Sequence, residues 1–169
     1  RYILQALALC PAIISDRRCG IVGWNEAAAA VFTDFGEIPV QERNMIWLLF
    51  TRKDFRALTV NWSGFAPGFL AMFRYHYGQH VNDPWYGAFI ERICSVNSEF
   101  RELWDRNDVS AAPESAIEFR HARAGKMLFE VTSLQLPGAA ELRMTVYTPA
   151  PGTDTEAKLK GLMGKRAGK

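Results

Sequence analysis

Two arginines lie in otherwise apolar helical segments, where a cation could hold a carboxylate. Arg43 and Asn44 place a guanidinium and an amide donor side by side directly before the apolar segment 45–50, and Arg74 lies within a second apolar segment, 61–80. A guanidinium can donate two parallel hydrogen bonds to a carboxylate. If the protein binds a carboxylate, we therefore predict that Arg43 with Asn44, or Arg74, holds this head group.

The same three residues have a structural interpretation. Asn44 is a good N-cap for a helix over 45–50. Arg43 could pair with Glu42 or Asp54. Arg74 could likewise be a structural partner of a carboxylate, either Asp83 or Glu99. The sequence leaves both interpretations open.

Two histidines, His76 and His80, are four residues apart, a spacing at which two ring nitrogens can bind one metal ion. A zinc or haem site needs further ligands, and the chain has no pattern that supplies them. The histidines are better explained as residues near a helix C-terminus, where the helix dipole favours a cation. We therefore predict no metal and no cofactor.

A hydrolytic triad could be assembled from Ser98, Asp108 and His121, but the Gly-x-Ser-x-Gly elbow of serine hydrolases is absent. Ser98 is explained as a helix cap. Cys19 and Cys94 do not lie in the Asn-Cys-Arg setting of flavin photosensors. The sequence therefore predicts a protein that is not an enzyme.

The chain is rich in large apolar side chains. Hydrophobic residues make up 49% and aromatic residues 12%, with 11 Phe and 5 Trp. Such a composition suits a lined cavity or an interface, and each methylene group buried in an apolar cavity contributes about 0.8 kcal/mol. A buried carboxylate must keep hydrogen bonds, because an unpaired buried charge is very costly. We predict a cavity between the sheet and the helices, lined by some of Trp47, Phe50, Phe69, Phe73, Phe89, Phe129 and Met144.

The elements that position these residues follow from hydrophobic periodicity. Runs typical of strands occur at about 12–15, 20–24, 116–121, 127–136 and 141–148. Helical patterns occupy the chain from Asn25, a good N-cap, to about Asn107. We predict an α+β fold: a PAS-like, five-stranded antiparallel sheet with an enlarged helical insert that covers one face.

Charge and composition divide the chain into three parts. We interpret 1–10 as a linker helix from a missing N-terminal DNA-binding domain, 11–151 as the ligand-binding domain and 152–169 as a basic, disordered tail. Without residues 154–169 the chain has 15 basic and 16 acidic residues, so the domain is not a polycationic surface for nucleic acid. Three unpatterned cysteines and the lack of a long apolar run predict a cytoplasmic protein without a membrane span.

A set of short motifs, in order and at characteristic spacing, carries a more specific resemblance over residues 2–151. These are Trp24-Asn25, Arg43-Asn44, Phe50, Trp62, Phe73-Arg74, Asp83-Pro84, Ser98-Glu99-Phe100, Leu103-Trp104, Asp108-Val109, Arg120-His121, Gly125 and Val146-Tyr147-Thr148-Pro149. The chain resembles the MmyB-like family of bacterial transcription regulators. It departs from the family pattern where His121-Ala122 replaces the usual His-Pro.

The resemblance implies a PAS-like ligand-binding domain that follows an Xre-type helix-turn-helix. It also implies a long-chain fatty acid or similar apolar molecule as ligand, and contact with DNA only through the helix-turn-helix that this sequence lacks. We therefore expect a ligand-sensing regulatory domain. Two alternatives stay open: a ligand-free PAS-like dimerisation module, with a second copy as partner, and a small lipid-acting hydrolase.

Overall fold

The fold is built on one antiparallel sheet. The computed structural model describes residues 2–107, 115–136 and 141–166. Its strands are β1 (Ala12–Ser15), β2 (Ile21–Trp24), β3 (Ala116–His121), β4 (Gly125–Gln135) and β5 (Arg143–Pro149). They lie side by side in the order β2-β1-β5-β4-β3, and all neighbours are antiparallel. This arrangement confirms the predicted PAS-like α+β fold.

The turn of the opening hairpin is stabilised by its own side chains. One carboxylate oxygen of Asp16 accepts hydrogen bonds from the backbone N–H groups of Arg18 (2.9 Å) and Gly20 (2.8 Å). Cys19 adopts a left-handed conformation with φ of 62°. These contacts reverse the chain between β1 and β2. The predicted turn 137–140 before β5 lies outside the described residues.

Helices fill the interval between β2 and β3, as predicted, and flank the sheet at both ends of the chain. They are α1 (Tyr2–Ala6), α2 (Glu26–Val31), α3 (Met45–Thr51), α4 (Lys53–Leu58), α5 (Trp62–Gln79), α6 (Pro84–Val96), α7 (Ser98–Arg106) and α8 (Thr155–Arg166), with two short 3-10 helices at Phe35–Glu37 and Val40–Glu42. Over the residues that the structure describes, no helix is both long and apolar enough to span a membrane.

The helix caps agree with the sequence at most positions. Asn25 caps α2, Asn44 caps α3 and Asp83 caps α6 at the start of the helix that Pro84 opens. The prediction that Ser98 caps α7 is wrong. Asn97 is the cap, and its side chain accepts a 2.7 Å hydrogen bond from the Phe100 backbone N–H. An amide side chain one residue earlier reaches that N–H, so Ser98 becomes the first helical residue.

Most buried apolar residues belong to the helices and the segments between them, and the helix-facing side of the sheet packs against this core. Phe119, Met127 and Phe129 are buried there, and Phe119 packs edge-on against Phe32, just after α2. The opposite face is covered in part by α1, whose buried Leu4 belongs to one cluster with Ala12, Met144 and Val146. Both faces of the sheet therefore carry apolar residues.

The prediction of a disordered tail over 152–169 is wrong for Thr155–Arg166, which form α8. Leu159 and Leu162, three residues apart, are buried against Ala27, Ala30 and Val31 of α2. Basic composition suggested a solvated terminus, but two leucines on one side of the helix bury enough apolar surface to dock it. Residues 167–169 lie outside the described part of the chain.

Thr155 anchors the start of α8 to the sheet. Its hydroxyl accepts a 2.9 Å hydrogen bond from the Leu128 backbone N–H, and the residue is 1% exposed. Thr155→Val keeps the shape but leaves that N–H without an acceptor, so we expect the free energy of unfolding to fall by about 1–3 kcal/mol. Urea denaturation measures this loss. Thr148→Val, at an exposed strand position, is the control and should change stability little.

Candidate functional site

A cavity of about 520 Å³ lies between the sheet and α5. This volume falls within the range of small-molecule pockets. The sheet contributes ends of β1, β4 and β5, the helix contributes its C-terminal half, and the hairpin turn and the segment before β5 complete the rim. The lining residues are Ser15, Asp16, Cys19, Met72, Tyr75, His76, Gln79, His80, Gln135, Glu141, Leu142 and Arg143.

Strand register explains why polar residues form the sheet side of this cavity. Arg143 pairs with Ser15 of β1 on one side and with Gln135 of β4 on the other. Residues directly opposite one another in neighbouring strands lie on the same face of the sheet. Ser15, Arg143 and Gln135 therefore form one row across three strands. The next row towards the core is Ile13, Thr145 and Ser133.

Arg143 is the arginine among the residues that line the cavity. One guanidinium nitrogen, Nη1, lies 2.8 Å from the Met72 sulfur on α5, and a thioether is only a weak hydrogen-bond acceptor. In the three described stretches of the chain, Arg143 forms no ion pair. The strongest donor in the cavity is therefore not matched by an acceptor of similar strength.

Glu141 lies on the rim and contacts two basic side chains. Its carboxylate accepts from Arg17 at 2.8 Å and contacts His80 Nε2 at 2.7 Å. The Arg17 guanidinium, and after it His80, hold the pKa of Glu141 below its usual range. Arg17 also pairs with Asp83 at 3.2 Å, so the hairpin turn, the start of α6 and the rim are joined through one guanidinium.

The ring of His80 lies between two oxygen acceptors. Its Nδ1 is 2.9 Å from the His76 carbonyl oxygen, and its Nε2 contacts Glu141. A carbonyl and a carboxylate can only accept, so both contacts are hydrogen bonds when both ring nitrogens carry a hydrogen.

One side of α5 carries a row of mainly apolar residues, two of which line the cavity. Phe65, Phe69, Met72 and His76 follow one another at spacings of four, three and four residues, which places them on one helix face. Met72 and His76 line the cavity, and all four are partly exposed. The Phe65 and Phe69 rings stack with centroids 5.5 Å apart. The row therefore leads from a polar end at His76 to an aromatic end.

The predicted head-group residues Arg43 and Asn44 do not line this cavity. Asn44 is buried, accepts from the Trp47 backbone N–H and donates to the Arg18 carbonyl at 2.6 Å, so it caps α3 and ties it to the hairpin. Arg43 donates to the Ile38 carbonyl at 2.9 Å and lies over the Trp24 ring. Its Nε is buried and has no hydrogen-bond partner among the described residues.

Arg74, the third predicted head-group residue, is on α5 but outside the cavity lining. It donates to the Trp104 carbonyl at 2.8 Å and stacks on the Trp104 ring, with 4.5 Å between the guanidinium carbon and the ring centroid. Asp83 forms ion pairs with Arg17 and Arg18, and Glu99 with Arg56. The structure thus places the three predicted residues in contacts with backbone and aromatic rings.

The seven apolar residues predicted to line a cavity fall into three different clusters, and none lines the cavity described above. Trp47, Phe50, Phe69, Phe73 and Phe89 belong to the helical cluster, Phe129 to the cluster beneath α8 and Met144 to the cluster beneath α1. Phe69 comes nearest, since it lies in the same row as Met72.

Hydrophobicity suggests that Met144 faces the helices between β2 and β3 and that Arg143 faces away from them. The structure has the reverse arrangement. Successive strand residues point to opposite sides of a sheet, so a one-residue difference moves a side chain to the other face. Met144 pairs with Ile14 and Leu134 on the α1 side, which leaves Arg143 facing the helices. In the sequence, Arg143 is a lone arginine in a strand that alternates with apolar residues. This pattern is typical of a solvent-facing residue, so it gave no indication that Arg143 lies in a cavity.

The remaining chemical candidates serve the fold. His121 Nδ1 accepts from the backbone N–H groups of Arg123 (3.1 Å) and Ala124 (3.2 Å) in the turn after β3. Burial raises the pKa of the Cys19 thiol to about 12, which keeps it in the unreactive form. Asp108 lies outside the described residues. Within the described ranges, no group of three or more His, Cys, Asp and Glu side chains could hold a metal ion.

His76, in the wall of the cavity, should make the free energy of unfolding depend on pH. Burial first, and then Arg143 and His80, lower its pKa below 6.5, while Glu141 acts in the opposite direction. Between the folded pKa and 6.5 the unfolded chain binds more protons, so the free energy of unfolding should fall as the pH is lowered through that window. Urea midpoints at about pH 7.5 and about pH 5.5 measure this slope.

The His76→Gln substitution should reduce the change in the free energy of unfolding between these two pH values. Burial also lowers the pKa of His121, which contributes a slope of the same sign, so part of the dependence must survive. A His121→Gln variant measures that remaining part. An unchanged slope in His76→Gln would contradict the assignment.

The comparisons with known proteins identify a family for this chain. The family described as the MmyB-like transcription regulator ligand binding domain matches residues 1–162. The match therefore extends from α1 into α8 and includes Leu159 and Leu162. No curated protein matches the chain.

Proposed function

The chain belongs to the MmyB-like transcription regulator ligand-binding domains, and from that membership we propose that its ligand is a fatty acid or a similar apolar carboxylate. The observation that carries the proposal is a cation in a cavity beside a row of aromatic side chains. Arg143 lines the cavity, and Phe69 and Phe65 follow Met72 on the same face of α5, outside the cavity lining. An amphipathic molecule with an anionic head and a long apolar tail matches both.

The apolar end can supply most of the affinity. Each methylene removed from water contributes about 0.8 kcal/mol, so several methylenes against Phe65 and Phe69 outweigh the cost of ordering the chain. Both rings are only partly buried in the helical cluster, so they have surface left to cover. A polar metabolite of the same size would leave that surface in water.

Regulation would follow from a difference in ligand affinity between two conformations. Asn25 connects α1 to the sheet, because its Nδ2 lies within 3.3 Å of the carbonyl oxygens of Leu4, Leu7 and Cys10. We assign residues 1–10 as the connection to a DNA-binding helix-turn-helix, through which the bacterial regulator would contact DNA in the cytoplasm. A ligand-induced movement of α5 or of the hairpin could then change the position of α1 and, through it, the DNA-binding domain.

Isothermal titration with palmitate, kept below its micelle-forming concentration, tests the proposal. We expect saturable binding with one site per chain, and the same ligand should raise the midpoint of thermal unfolding because it binds only the folded state. Glutarate, which has carboxylates but no long tail, is the control and should not bind measurably. Failure of palmitate and of the matching alcohol, hexadecanol, to bind would contradict the proposal and favour a ligand-free dimerisation module.

A further inference from the structure

We infer that the carboxylate head group binds at Arg143, in the cavity between α5 and the ends of β1, β4 and β5. This inference deepens the proposed function and rests on it: the ligand is an apolar carboxylate, and Arg143 rather than Arg43, Asn44 or Arg74 holds its charge. The acyl chain then runs along α5 over Met72 and Phe69 towards Phe65.

The charges around the cavity favour Arg143. Two carboxylates, Asp16 and Glu141, also line it, but each has partners of its own. Asp16 accepts from two backbone N–H groups of the hairpin turn, and Glu141 is held by Arg17 and His80. Arg143 has only the Met72 sulfur as its hydrogen-bond acceptor in the described structure. An incoming carboxylate would replace this weak acceptor with a strong, charged one.

The surroundings of Arg143 suit a charged head group. Ser15 and Gln135 flank Arg143 in the same row of the sheet, and both carry neutral polar groups that can hydrogen-bond a carboxylate. His76 lines the opposite wall on α5. Removing the guanidinium from bulk water is then less costly, because polar groups remain around it.

Met72 is suited to give way to the ligand. Its unbranched side chain has three rotatable bonds and adapts to irregular space. Because it lies between His76 and Phe69 on the same helix face, rotation of Met72 would open the path from the polar end to the aromatic end. The Phe65–Phe69 stack would then cover the first part of the acyl chain.

The head-group residues predicted from the sequence make structural contacts that a bound carboxylate would disrupt. Asn44 uses its oxygen to cap α3 and its nitrogen to bind the Arg18 carbonyl. Arg43 braces the segment before α3 through the Ile38 carbonyl and Trp24. Arg74 links α5 to α7 at Trp104. Arg143 makes no such bond to the backbone of another element in the described structure.

The experiment compares palmitate with hexadecanol, which has the same number of carbons and no charge, on the wild-type chain and on Arg143→Gln. We expect Arg143→Gln to weaken palmitate binding about ten- to hundredfold, as for a lost charge-assisted hydrogen bond. Hexadecanol affinity should change less than about threefold, because the apolar contacts remain. Arg120→Gln, on an exposed position of β3, removes an equal charge away from the cavity and should bind both molecules as the wild type does.

The outcomes separate the inference from the proposed function. If the wild type binds palmitate and Arg143→Gln binds it equally well, the head-group site is elsewhere; a loss in Arg43→Gln or Arg74→Gln would then locate it. If Arg143→Gln loses palmitate and hexadecanol equally, Arg143 only supports the shape of the cavity and the inference is wrong. If the wild type binds neither molecule, the proposed function itself fails.

Discussion

Phe73→Ala should lower the free energy of unfolding by about 3–5 kcal/mol. Phe73 is 0% exposed at the centre of the helical cluster, and its ring contacts the rings of Trp85, Tyr86, Phe89 and Trp104 at centroid distances of 5.6–6.5 Å. Truncation removes the transfer free energy of the ring and leaves a cavity between α5, α6 and α7. Reversible urea denaturation, followed by circular dichroism, measures the loss.

Phe69→Ala is the matched comparison on the same helix. Phe69 is partly exposed and lies one turn from Phe73, in the row that leads into the cavity beside β5. The truncation should therefore cost clearly less stability than Phe73→Ala, while palmitate affinity should fall because apolar contact with the acyl chain is lost. Equal stability losses in the two variants, with unchanged palmitate affinity, would contradict the assignment of Phe69 to the ligand path.

Asn25→Ala should destabilise the domain by about 2–4 kcal/mol, because it removes a helix cap and leaves several buried polar groups without partners. The Oδ1 of Asn25 accepts from the Ala28 backbone N–H at 2.9 Å and from the Ala12 backbone N–H at 3.0 Å. Its Nδ2 donates to the carbonyl oxygen of Leu4 within α1 and to those of Leu7 and Cys10 after the helix. One side chain thus joins α1, β1 and α2, and hydrogen exchange should show α1 opening first in the variant.

Two further variants at asparagine caps check this explanation. Asn25→Asp keeps the cap oxygen but turns a second carboxylate oxygen towards three carbonyl oxygens, so it should be about as destabilising as Asn25→Ala at neutral pH. Asn61→Ala removes an exposed cap whose oxygen is 3.3 Å from the Gly64 backbone N–H. It should cost about 1 kcal/mol. A wild-type-like Asn25→Asp protein would show that the three carbonyl contacts contribute little.

The local elements of this protein could be predicted from the sequence because short-range chemistry determines them. Asn25, Asn44 and Asp83 each satisfy backbone N–H groups within three residues, and such contacts depend on little else. Two β-branched runs separated by turn residues located β1 and β2, and alternating side chains located β3, β4 and β5. The order of strands and helices then predicted the PAS-like sheet. The single cap that was misplaced, Ser98 for Asn97, differs by one residue within the same kind of contact.

The tertiary structure decided which residues meet. Alternation shows that Arg143 and Met144 face opposite sides of β5, but not which side the helices cover; pairing of β5 with β1 and β4 settles that Arg143 faces α5. For the same reason, Phe129 and Met144 lie in separate clusters although both are apolar strand residues. The docking of α8 also depends on α2, which lies more than a hundred residues earlier in the chain. The sequence determined the caps, strands and helices, whereas the cavity with Arg143 exists only through long-range strand register and packing.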